Sequence, residues 1–164
     1  MRRIAFTRPD GGVSIIVPVI SRDDPKDFTE AQALERAAKD IPQDAINFTI
    51  VNEDAIPADR TFRNAWRADG EAVVVDMDAA REVWRDKLRE ARKPLLEALD
   101  VAYQRADETG SRSEKDAVAA KKQALREITA HPSIEAAGTP NELKSVWPDD
   151  LGDKSVSPAG MIVA

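Results

Sequence analysis

The 164-residue chain has no cysteine and a single histidine, His131. Without thiols there can be no disulfide, no thiolate metal site and no cysteine nucleophile. One imidazole, set just before Pro132, cannot build a multi-histidine zinc site or a histidine relay alone, and it reads as a surface residue at a helix end. Aromatic residues are scarce, at 5%, while a third of the chain is charged, so much of its length must be solvated helix surface. Positive charge is in deficit: 24 Lys and Arg against 30 Asp and Glu leave a net charge of −6. Broad binding to DNA, which needs clustered cations to displace counterions from phosphates, is therefore not expected. Apolar runs fall far short of the ~20 residues that span a bilayer. The opening Met1-Arg2-Arg3-Ile4 runs into a strand pattern rather than a signal core. These features predict a cytoplasmic protein with neither nucleic acid nor membrane among its partners.

Motifs that announce chemistry are also missing. Gly11-Gly12 is the only glycine pair, and neither GxGxxG nor GxxxxGK[ST] occurs, which excludes nucleotide binding through those loops. The acid pairs Asp23-Asp24, Glu53-Asp54 and Asp149-Asp150 do not sit in a twelve-residue EF-hand pattern and read as solvated loop charge. No serine lies in a nucleophile elbow, and no two carboxylates stand out as a hydrolytic pair. The expectation is a protein without catalytic, cofactor or metal residues.

What is present is a change of period. Arg3 to Thr7 and Val13 to Ile20 read as strands joined by Arg8-Pro9-Asp10-Gly11-Gly12, a turn in which proline presets φ and glycine permits positive φ. Thr29-Glu30-Ala31-Gln32 has the capping-box pattern and predicts a helix from Glu30 to about Lys39. Asn47 to Val51 reads as a third strand. Thr61 to Trp66, Asp69-Gly70 and Ala72 to Val75 suggest a second hairpin, with Phe62 and Trp66 on one face as core aromatics or as exposed anchors.

From Asp76 the apolar spacing becomes helical: Trp84, Leu88, Ala91, Leu95, Leu99 and Ala102 recur at threes and fours. A helix from about Met77 to Asp107 follows, with a kink, or two helices meeting, before Pro94. A second helix from Ser113 to Ala130 should pack back on it, joining the Trp84, Leu88, Leu95 and Leu99 seam to Val118, Leu125 and Ile128. Thr139 to Trp147 reads as a last short helix, and residues from Asp149 on as a flexible tail. The predicted fold is α+β: a strand-rich module over 1–75, a long kinked helix and helical hairpin over 76–148, and a tail over 149–164.

On the long helix, Arg81, Arg85, Arg89 and Arg92 fall in a sector beside the apolar seam, while Glu82, Asp86, Glu90 and Glu97 lie opposite. Two readings fit. Arginine stems can cover the edge of the core and pair with acids on the same helix, or planar guanidinium groups can dock a partner.

The segment Arg85-Asp86-Lys87-Leu88-Arg89-Glu90-Ala91-Arg92-Lys93-Pro94-Leu95-Leu96-Glu97-Ala98-Leu99-Asp100 resembles the C-terminal region of phage tail-fibre assembly and tail assembly chaperone proteins. The later pieces Gln123-Ala124-Leu125-Arg126-Glu127-Ile128 and Val146-Trp147-Pro148 follow in the same order as in that family. Asp59-Arg60-Thr61-Phe62-Arg63-Asn64-Ala65-Trp66 is similar to phage and prophage proteins encoded near tail genes. The resemblance covers roughly residues 59–148. It implies a small acidic helper that holds a phage tail or tail-fibre protein during assembly in the host-cell cytoplasm, without cofactor or reaction. The partner-binding residues expected on this reading are Arg81, Arg85, Arg89, Arg92, Phe62, Trp66 and Trp147. Self-association is a further expectation. A structural component of the phage particle, or an acidic inhibitor of a host defence system, are the alternatives.

Overall fold

The computed structural model describes residues 1–153 and has an α+β fold in two compact units, Met1–Ala80 and a second that begins at Arg81. In the first unit, β1 (Arg2–Thr7) pairs antiparallel with both β2 (Val13–Ile16) and β3 (Asn47–Asn52), giving the order β2-β1-β3. The β1–β2 turn closes through Gly11, whose φ of 82° suits glycine, and through the Asp10 carboxylate. That carboxylate accepts the Gly12 N–H at 2.9 Å and Arg8 Nε at 3.1 Å. β2 stops at Ile16, short of the expected Ile20, because Pro18 has no N–H for a ladder and is instead fully buried.

The two faces of this sheet are covered differently. Ile4 and Ile16 face α1 (Glu30–Ala38), where they meet Leu34 and Ala37. Thr29 and Gln32 form the expected capping box. On the other face Ala5, Val13 and Val51 pack with Trp66 and Val73 of a second hairpin, β4 (Trp66–Asp69) and β5 (Ala72–Val75). Gly70, at φ 60°, makes its turn. Phe62 precedes a 3₁₀ turn at Arg63–Ala65 and is not on the strand with Trp66, so the two do not share a strand face.

Asp76 caps α2 (Met77–Glu108), its carboxylate accepting the N–H groups of Asp78 and Ala79 at 3.0 Å each. The chain remains helical through Pro94 rather than dividing into two helices there. α3 (Arg112–Glu127) runs into a 3₁₀ turn at Ile128–Ala130. Pro132 then begins a helix of its own, α4 (Pro132–Ala136), capped by His131 Nδ1. α5 (Pro140–Ser145) is capped by Thr139. The expected flexible tail is corrected over its first residues: Asp149–Leu151 forms a 3₁₀ turn with Leu151 buried, while residues 154–164 lie outside the described residues.

The buried seam of α2 is Ala80, Trp84, Leu88 and Ala91. Leu95, Leu96 and Leu99, past the proline, are only half-buried, as is Val118 of α3. That stretch is held as well by Tyr103, whose ring lies 5.4 Å from Lys115 Nζ and 5.3 Å from Lys122 Nζ. Lys115 also pairs with Asp107, and Lys122 with Asp100. No described helix is long and apolar enough to cross a membrane.

Candidate functional site

Three of the four aligned arginines are turned to the molecule's own backbone. Arg92 Nη1 donates to the carbonyls of Leu125 and Arg126 at 3.1 and 2.7 Å. Arg85 Nε donates to Thr129 O at 3.3 Å, and its remaining nitrogens meet Glu82 and Glu135. Arg81 donates to Ile134 O at 3.2 Å and Ala137 O at 3.0 Å. The last carbonyls of a helix have no partner within it and carry the negative end of its dipole, so a guanidinium from a neighbouring helix satisfies both needs. As α2 is read from Arg92 back to Arg81, the acceptors advance from Leu125 to Ala137, the order of antiparallel packing. This is the first of the two readings of the basic row, with backbone carbonyls added to the acids as acceptors.

Arg89 alone projects to solvent, paired with Asp86 on its own helix. Trp147 is half-buried and donates its indole N–H to Gly152 O at 2.9 Å. Phe62 and Trp66 are 1% and 3% exposed, which makes them core residues and corrects the reading of either as an exposed anchor. The residues singled out in the sequence therefore do not form one surface.

An exposed apolar surface exists elsewhere, at the β3 edge of the three-stranded sheet, which no other described strand pairs. Ile46, just before β3, and Phe48 and Ile50 on one face of it are 64%, 57% and 42% exposed. That face is the one α1 covers, but the nine-residue helix lies over β1 and β2 and leaves the β3 side open. Between helix and strand is a cavity of about 270 Å³, lined by Ile4, Ala31, Leu34, Ala38, Phe48 and Ile50, with Arg2 and Glu35 at its polar margin. From Ala45 to Asn52 the chain has no charge and no proline, the two devices that commonly blunt a sheet edge. Asp44 precedes this stretch, and Glu53 and Asp54 follow it.

Among the described residues no group of three His, Cys, Asp or Glu could hold a metal ion. The resolved shifts in acidity all favour charged forms already engaged in local pairs. Arg36 holds the Asp24 carboxyl below its usual range, and Asp107 holds the Lys115 ammonium above its own.

No family model, curated protein or solved structure matches the chain.

Proposed function

We propose that the protein works without catalysis, by contact with another polypeptide, and that the partner is a phage tail or tail-fibre protein held during assembly in the host-cell cytoplasm. The observation that carries the contact reading is the uncharged edge strand β3, with Phe48 and Ile50 exposed on it and Ile46 exposed just before it. An unpaired strand edge offers backbone donors and acceptors, and an apolar row beside a groove offers side-chain pockets; together these suit an added strand of a second chain. The acids Asp44, Glu53 and Asp54 at the two ends favour a segment with basic flanks. The choice of a tail or fibre protein rests on the resemblance over residues 59–148.

The test is coexpression with the tail or tail-fibre protein encoded beside this chain. The wild type should co-purify with it in a fixed ratio, and Phe48→Asp should remove the complex while circular dichroism stays unchanged. Arg89→Ala should leave it intact. A Phe48→Asp variant that still binds would move the contact elsewhere, and a wild type that does not bind would refute the tail reading.

A further inference from the structure

We infer that the first unit also contains a binding pocket for a small apolar monocarboxylate, distinct from the β3 shelf and independent of the contact reading. A cavity of about 770 Å³ lies among the sheet face that carries Arg3 and Ile15, the β4–β5 hairpin and the connection over residues 53–60. That volume is within the ~300–1,000 Å³ of ordinary small-molecule sites. Ile15, Val17, Ile56, Pro57 and Val73 supply its apolar wall.

Two residues of this lining, Trp66 and Arg3, each carry a buried donor that is unmet. The Trp66 indole N–H and Arg3 Nη1 are both shielded from solvent and have no acceptor among the described residues. Trp66 is only 3% exposed. The contrast with the other two tryptophans is informative: Trp84 Nε1 reaches Val146 O and Trp147 Nε1 reaches Gly152 O, both at 2.9 Å. Folded proteins rarely keep a buried N–H without an acceptor, and each exception calls for a reason. Here both orphans are donors beside one cavity, so the missing group is an acceptor.

Charge narrows the class. Arg3 already shares Glu53 through Nη2 at 2.8 Å, and Glu53 also faces the chain's first amino group at 3.7 Å. Arg60 adds a second guanidinium to the lining, and Asp54 a second acid. Glu53 and Asp54 offset the two guanidinium groups, which weighs against a dianion such as phosphate more than against a single charge; the two unmet donors match the two acceptor oxygens of one carboxylate, whose apolar body fits the wall.

The experiment is a titration of the full-length protein with octanoate, followed by the three indole N–H signals in a ¹⁵N–¹H spectrum. Octanoate should shift the Trp66 signal in a saturable way and leave those of Trp84 and Trp147 in place, with octanol at least ten times weaker. Trp66→Phe, which keeps an aromatic ring but removes the indole donor, and Arg3→Met should each weaken octanoate at least tenfold by titration calorimetry. A free-acid peptide ending Val-Ile-Val against its amide separates the two sources of such a group: binding by the acid peptide but not by octanoate assigns the site to a polypeptide C-terminus, and the reverse to a free small acid. Octanol binding as tightly as octanoate, or a Trp66 signal unmoved by octanoate and by the acid peptide alike, would overturn the inference even if the variants failed to fold.

Discussion

Arg85 and Arg89 stand one helical turn apart, yet one is bound to Thr129 O and Glu135 while the other meets only Asp86 in solvent. Their difference lies in what the facing segment presents. Removing a guanidinium that satisfies helix-end carbonyls strands those acceptors in a partly buried place, whereas an exposed pair contributes little. In urea denaturation Arg92→Leu should lower stability by about 1–3 kcal/mol, and Arg89→Ala by at most about 0.5 kcal/mol. Equal effects would show that the carbonyl bonds carry no weight. Burial separates the leucines in the same way. Leu88 is fully enclosed, so Leu88→Ala should cost about 2–5 kcal/mol. The half-buried Leu95 should lose only about half as much area, and about half as much stability; a loss at Leu95 equal to that at Leu88 would show that the stripe is covered past Pro94.

At the scale of elements, short-range chemistry was legible and long-range chemistry was not. The change of period at Asp76, the Thr29–Gln32 box and the Asp-Gly turn are local patterns, and α2, α1 and the β4–β5 hairpin follow them. The end of β2 at Ile16 is equally written in Pro18, although the β-branched run around it has the pattern of a longer strand. By contrast the acceptors of Arg81 and Arg92 are backbone carbonyls, which every residue has, so no side chain marks them in advance. The exposed row on β3 follows from how far α1 reaches across the sheet, a tertiary fact with no one-residue signature.

The ion pairs that tie elements together also set a pH dependence. In the first unit Asp10 is held low chiefly by the Gly12 N–H, Asp24 by Arg36, and Glu30 by the Arg2 N–H, from ordinary values of 3.8, 3.8 and 4.5. A lowered folded-state pKa contributes stability that is present above the ordinary value and lost as pH falls through the folded one. Lys115 is raised above 10.5 by Asp107, so its contribution is present below that value and lost as pH climbs through the folded one. Thermal melts should therefore fall off below about pH 4.5 and again above about pH 10.5. Asp24→Asn should flatten the acid limb, and an unchanged limb would remove Asp24 from its cause.

For the molecule as a whole, charge and apolar surface are unevenly shared. A third of its residues are charged and its net charge is −6, yet the run from Ala45 to Asn52 carries none. Mutual repulsion among the acidic copies thus has to protect an edge that has no charge of its own. The sequence pI is about 4.9, and near that pH the repulsion vanishes while β3 keeps its open backbone and its apolar row. Colloidal stability and folding stability should therefore part company in mildly acidic solution: above about pH 4.5, where the carboxylates still support the fold, folded copies are expected to meet edge to edge. The strand proposed to take a partner is then the strand through which the protein is expected to precipitate, and turbidity near pH 4.9 that Phe48→Asp does not reduce would contradict this.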